Sequence, residues 1–328
     1  MTMPQAQGIN EKIIFDTEDT FKTTPVAADA WILPFTSESL RLSRNLIDSK
    51  VLRANRNAKA PVRGNKEITG DINMELSPGL GRVFKHALGT VTTTGASEPY
   101  THTFKIAALP SMCIEKQFLD LTIPKYFLYN GIKINSLKIA TKSEGMIETT
   151  ISVMGTGETV TNASFDASAT DIDVTYNYSS FDGFQASILD NASPLGNVSS
   201  LDISLENNLD GSVYVINGTG ERYSLPDGLT KVSGTLTTLF EDDTLYMKAM
   251  NSEETKLVLT FTVGSGSGTA GNEKLTITIP ELILQPNAPV ISGPTGVMVE
   301  LPFTAYYSNS TETTSLQFEL KNAMASME

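Results

Sequence analysis

Ile68-Thr69-Gly70-Asp71-Ile72 and Val232-Ser233-Gly234-Thr235-Leu236 are two versions of one phrase, and their reading decides how the chain folds. In both, apolar or glycine positions alternate with polar ones, the period of two that a half-buried strand requires. The first run carries the alternation onward through Met74 and Leu76. A short helix is expected after each. Val83, Phe84, Ala87 and Leu88 fall on one helical stripe, and Leu245, Tyr246, Ala249 and Met250 repeat the spacing. Ser77-Pro78 reads as N-cap and first turn of the first helix, and Gly89 as its C-terminal cap. The second helix has only Asp242 and Asp243 near its start, favouring the positive end of its dipole.

Two more blocks recur in the same order. Ile132, Ile134, Leu137 and Ile139 return as Ile277, Ile279, Leu282 and Leu284, and Ile147, Thr149, Ile151 and Val153 as Val297, Val299, Leu301 and Phe303. Alternating strands align by accident in any all-β protein, so the weight lies on the common order with a helix in the same place. The expected fold is mostly β: two tandem, duplicated β-sandwich or barrel domains, each with a short flanking α-helix. The competing reading is one large irregular sandwich without internal symmetry.

The expected organisation is an N-terminal arm over 1–28, whose Lys12 to Phe15 adds a strand to something else, and a first domain over 29–160. A basic loop or extended hairpin occupies 41–66. A linker over 161–181 leads to a second domain at 182–321 and a frayed tail at 322–328. Gly264 to Gly271 reads as a flexible hairpin tip.

A length of 328 residues suits two domains of ordinary size, and the abundance of Ser, Thr, Gly and Asn favours sheet and turns over helices. The lone cysteine, Cys113, excludes an internal disulfide framework. Met1 to Asn10 has no basic segment leading into an apolar core, and no run approaches the ~20 apolar residues of a membrane helix. Net charge is −13, unevenly spread: residues 1–157 hold 18 Lys/Arg against 15 Asp/Glu, residues 158–328 hold 6 against 22.

The chain carries no recognisable catalytic signature. His86, placed on the polar side of the first helix, and His102, in a Thr-rich strand, have no ligand partners at metal spacing and read as structural. Cys113 with His102 would make a nucleophile pair, but nothing local activates the thiol, and a buried structural cysteine is the better reading. Gly264-Ser265-Gly266-Ser267-Gly268 has the glycines of a phosphate loop without its Lys-Ser/Thr ending. Asp171-Ile172-Asp173 and Asp242-Asp243 lack a surrounding calcium loop. No catalytic residue, cofactor or metal site is expected.

The basic stretch is the one surface feature that stands out: Arg41, Arg44, Lys50, Arg53, Arg56, Lys59, Arg63 and Lys66, opposed only by Asp48. As a nucleic-acid site it lacks interleaved aromatics, and the acidic remainder repels a polyanion. A plain solvated loop is one alternative. The favoured one is a docking arm that meets acidic surface on a neighbouring copy, since long-range complementarity fixes orientation when identical subunits stack.

A set of short runs then carries a resemblance. Leu33-Pro34-Phe35-Thr36-Ser37-Glu38-Ser39-Leu40 leads through Arg44-Asn45-Leu46-Ile47 and Arg53-Ala54-Asn55-Arg56-Asn57 to Ala60-Pro61-Val62-Arg63-Gly64. Gly70-Asp71-Ile72-Asn73-Met74-Glu75-Leu76, Ala87-Leu88-Gly89 and Pro99-Tyr100-Thr101-His102-Thr103-Phe104 follow. Together these resemble the tail tube (major tail) proteins of long-tailed bacteriophages, most closely over residues 25–160. The resemblance implies sandwich or barrel domains that form rings, with rings stacking through long loops and arms into a virion tail assembled in the host cytoplasm. It also implies partners: the chain itself, a tape-measure protein, and tail tip and terminator proteins, with DNA passing through the bore without specific binding. With two domains per chain, three copies would make a pseudo-sixfold ring. The alternative is a monomeric β-sandwich binding module, adhesin or decoration protein; an enzyme comes third.

Overall fold

The computed structural model describes residues 5–291, 293–294 and 296–327, so the expectations for residues 1–4 and Glu328 lie outside them. The first half runs β1 (Glu11–Thr17), β2 (Trp31–Ile32), β3 (Ser37–Glu38), β4 (Arg41–Ile47), β5 (Val62–Glu75), α1 (Gly81–Leu88), β6 (Gly89–Thr94), β7 (Tyr100–Ile106), β8 (Met112–Phe118), β9 (Lys125–Lys142), β10 (Glu148–Gly155) and β11 (Gly157–Thr161). The second runs α2 (Ile172–Tyr176), β12 (Ala186–Asp190), β13 (Ser193–Pro194), β14 (Val198–Glu206), β15 (Lys231–Leu239), α3 (Thr244–Met250), β16 (Glu254–Thr262), β17 (Lys274–Leu284), β18 (Met298–Ala305) and β19 (Gln317–Asn322). Strands dominate, and their ladders are antiparallel, as the alternating pattern required.

The pairing order is the same in both halves. β4, β5, β10 and β9 lie side by side, and so do β14, β15, β18 and β17. β9 continues into β8, β1 and β2 on one side and β11 on the other; β17 does likewise with β16, β12 and β13, and with β19. The two sets are fused edge to edge, with Ser200–Glu206 of β14 running against Ser136–Lys142 of β9. A hairpin of β6 and β7 belongs to the first half alone, and β7 pairs with β19 of the second.

The alternation read from sequence is the burial pattern. Ile68, Ile72, Met74, Ile134, Leu137, Ile139, Ile151 and Val153 point into the core, with Val232, Leu236, Ile277, Ile279, Leu282, Leu284, Val299, Leu301 and Phe303. The glycines at the centre of the repeated phrase are sites of close approach. A Cβ on Gly70 would lie 2.3 Å from Leu40 Cα, and one on Gly234 would lie 2.0 Å from the Asp202 carbonyl oxygen. Each glycine lets a neighbouring backbone cross where any side chain would collide.

The helices differ in cover. Val83, Phe84, Ala87 and Leu88 of α1 are buried, and Phe84 meets Phe104 of β7 and Phe318 of β19 edge-on, with ring centres 5.8 and 5.1 Å away. On α3 only Ala249 is buried, and Met247 and Met250 are exposed. Among the described residues no hairpin equivalent to β6–β7 lies over it, because the chain passes directly from α3 into β16.

Several expectations change. The strand near the N-terminus stays at home: β1 pairs along its length with β8, and Ile13, Ile14 and Phe15 are buried. Trp31 to Leu42, which reads in the sequence as one longer strand, divides into β2, β3 and the start of β4. The segment expected as a linker is packed: Asp171 caps α2, Phe181 is buried against Phe261, and its backbone bonds to Leu76 and Ile147 of the first half. The tail expected to fray is held too. Met324 and Met327 are buried, and the Met324 carbonyl accepts a hydrogen bond from His102 Nε2 at 3.0 Å. His86 is not on a polar face but wholly buried. Its Nδ1–H donates to the Pro110 carbonyl and Nε2 accepts from Thr17, while burial lowers its pKa to about 3 and keeps the ring neutral.

Candidate assembly surfaces

The basic stretch is a long hairpin. β4 and β5 pair from Arg41 opposite Thr69 to Ile47 opposite Val62, and residues 48–61 form its exposed tip. Its charges divide into two groups. At the base, Arg44 Nε donates to the Gly64 carbonyl at 2.8 Å, and Lys66 Nζ lies 2.8 Å from Glu221. At the tip and outer face, Arg41, Lys50, Arg53, Arg56, Lys59 and Arg63 are exposed. Among the described residues, these six have no ion-pair partner.

The base is buttressed by the counterpart connection in the second half, residues 207–230 between β14 and β15. Lys66 donates its backbone N–H to Gly220, and Tyr214 donates its hydroxyl to the Lys66 carbonyl at 3.0 Å. Arg222, almost fully buried, donates from Nη1 to the carbonyls of Ile68 at 3.1 Å and Gly155 at 3.0 Å. Burial opposes charge on Glu221, but the hydrogen bond and charge of Lys66, with Lys22 beside it, hold its carboxyl below the usual range. This clamp gives the hairpin a fixed root. Its importance was not visible in sequence, where Arg222 and Glu221 sit in a loop without pattern; their opposite charge was the only signal.

Exposed apolar residues accompany the charge. Leu52 at the tip is 97% exposed, and Leu46, Ile47, Val51 and Val62 are exposed as well. Solvated loops place isolated apolar residues outside, but a run of five beside unpaired cations has the composition of a contact surface.

A second surface is the solvent face of the fused sheet. Asp71, Asn73 and Glu75 of β5, Thr150 and Ser152 of β10, Lys138 and Lys142 of β9, and Asp202 and Glu206 of β14 all lie outward, opposite the buried positions. Polar rungs cross it: Thr150 donates to Asn73 at 2.7 Å, Asn73 to Ser37 at 2.8 Å, and Ser152 to Asp71. The face carries no aromatic side chain at these positions and more carboxylates than cations.

Chemistry is sparse elsewhere. Cys113 is buried and its thiol pKa is raised to about 12, chiefly by burial, which suppresses the thiolate. His102 is buried between Thr93 and Asn322. Among the described residues no cluster of three or more His, Cys, Asp or Glu stands at metal-holding geometry. No described helix is long and apolar enough to cross a membrane.

The chain is thus an antiparallel β scaffold from which an anchored, charged and partly apolar hairpin projects. Comparison with known families then says what kind of protein this is. The family model for phage tail tube protein matches residues 8–305, nearly the whole chain, and the chain belongs to that family. It is therefore a structural component of the phage tail. No curated protein matches the chain.

Proposed function

We propose that three copies close into a ring with pseudo-sixfold symmetry, and that rings stack into a hollow conduit for the genome around a tape-measure protein. Each chain supplies two duplicated wedges, 29–160 and 182–321, joined through 161–181. Assembly takes place in the host cytoplasm, with tail tip and terminator proteins closing the ends.

The observation that carries this reading is the seam between the halves. β14 uses its outer edge to pair with β9, whereas β4, its counterpart in the pairing order, pairs with β5 and, among the described residues, leaves that edge open. An open edge is a template for another strand, and native proteins rarely leave one unprotected without a use. The strand a neighbouring copy would offer is the chain that continues β17, the counterpart of β9, beyond Ile283, where its pairing with Glu254 of β16 ends. Head-to-tail repetition of such a heterologous contact closes a ring when the rotation allows. In this reading the polar face of the fused sheet lines the bore, where its carboxylates keep DNA from adhering. The basic hairpin is the ring-to-ring contact, with Arg44 and Lys66 fixing its root and the other six cations meeting the next ring.

The test is the mass of an isolated ring together with the symmetry of a tube cross-section. Three chains per ring are expected. Six chains per ring, or a protein that stays monomeric at high concentration, would refute the closure described.

A further inference from the structure

We infer that the hairpin tip of one copy, Val51-Leu52-Arg53, docks into the groove between β13 and the start of α3 in the second half of a copy in the adjacent ring. This rests on the stacking role proposed above and names the surface that receives the tip.

Polarity comes first. Register across the fused sheet runs Glu75, Glu148, Ala140, Asp202, Thr235 and Pro302 along one row. The hairpin continues β4 and β5 away from that row on one side. Residues 193–197, before β14, and 239–243, at the end of β15 and after it, lie on the other side. Tip and groove thus sit at opposite ends of the molecule, the arrangement that head-to-tail stacking of identical rings requires.

The groove has the complementary chemistry. It encloses about 570 Å³, with Leu195, Leu239, Phe240 and Leu245 among its lining and Glu241 and Asp242 at its rim, while its one lysine, Lys248, is paired with Asp190. Leu239 and Phe240 are 45% and 39% exposed, so an apolar floor is left facing solvent under a carboxylate rim. The tip offers the inverse: exposed Val51 and Leu52 between the unpaired cations Lys50 and Arg53. An apolar anchor ringed by charge is how contact surfaces combine affinity with orientation. The corresponding groove of the first half, about 480 Å³, is also acidic, with Glu75, Glu144 and Glu148 beside Lys142, but Met74, Ala140 and Met146 are its only apolar lining side chains, so it offers the tip less to anchor on.

Charge exchange tests the pairing. Arg53→Glu with Arg56→Glu, and separately Glu241→Lys with Asp242→Asn, should each slow tube elongation at least tenfold while rings still form by native mass. The asparagine keeps the acceptor for the Thr244 N–H. Combining all four substitutions should restore most of the lost rate. If the groove variant elongates normally while the tip variant does not, the groove assignment falls and the stacking role stands. If both elongate normally, the stacking role falls as well. A second readout is independent of rate. Because Cys113 is buried, Leu52→Cys with Phe240→Cys leaves two accessible thiols. Oxidised tubes should then yield covalent ladders of chains, and their absence in tubes that do form would overturn the docking.

Discussion

At the scale of single residues, Gly70 and Gly234 carry the repeated phrase for a reason that alternation alone does not reveal. Each lies where another backbone crosses within the reach of a Cβ. Gly70→Ala and Gly234→Ala should each lower stability by about 1–3 kcal/mol in denaturant titrations, the usual cost of overpacking. Gly196→Ala, where a Cβ meets nothing within 4 Å, should be nearly silent. Asp173 makes a second prediction. Burial raises its carboxyl to about 6, although it accepts hydrogen bonds from Ser77. The folded state therefore holds this proton more tightly than the unfolded chain, and the stability it contributes is present below about pH 4 and lost as pH rises through 6. Asp173→Asn should match the wild type below pH 4 and exceed it by about 3 kcal/mol at pH 7, since each tenfold difference in proton affinity between folded and unfolded chain is worth ~1.4 kcal/mol. A flat difference across that range would contradict the assignment.

At the scale of elements, the legible and the illegible separate cleanly. The helix read from Ser77-Pro78 to Gly89 opens as a short turn over Pro78–Leu80 before α1 begins, and it ends at that glycine. The hairpin too was visible, as a polar basic stretch between two apolar runs. Partners were not. Lys12 to Phe15 reads as a strand, yet nothing in its own residues says that β8 receives it; that depends on about a hundred intervening residues folding to bring the two edges together. The same holds for the clamp of Glu221 and Arg222 on the hairpin root. A test of the open edge belongs at this scale. Lys66 turns its N–H away from β4 towards Gly220, so by alternation Leu42 and Arg44 turn theirs towards the free side of β4. Leu42→Pro should leave a folded monomer by circular dichroism and abolish ring closure, whereas Leu42→Ala, which keeps the N–H, should still close. Equal ring yields from the two variants would argue against pairing through β4.

At the scale of the whole molecule, the charge imbalance between residues 1–157 and 158–328 becomes an axis: unpaired cations at one end, Glu241 and Asp242 at the other. Exposed charges interact over a screening length of about 10 Å at 0.1 M salt. Elongation should therefore slow as salt rises from about 0.05 to about 0.5 M. Arg53→Glu, Arg56→Glu and Arg63→Glu together should weaken tube growth most at low salt and erase that salt dependence. An unchanged salt profile in the triple variant would count against electrostatic stacking. What the amino-acid order determined unaided was the strand and helix periodicity, the inward-facing residues and the recurrence of both along the chain, because each is a local property written at intervals of two or about four residues. Only the folded molecule decided which edges meet and which stay open, that the segment after β11 and the C-terminal tail are packed, and that α3 lacks the cover α1 enjoys. Those depend on contacts between residues far apart in the chain, whose geometry no short-range pattern encodes.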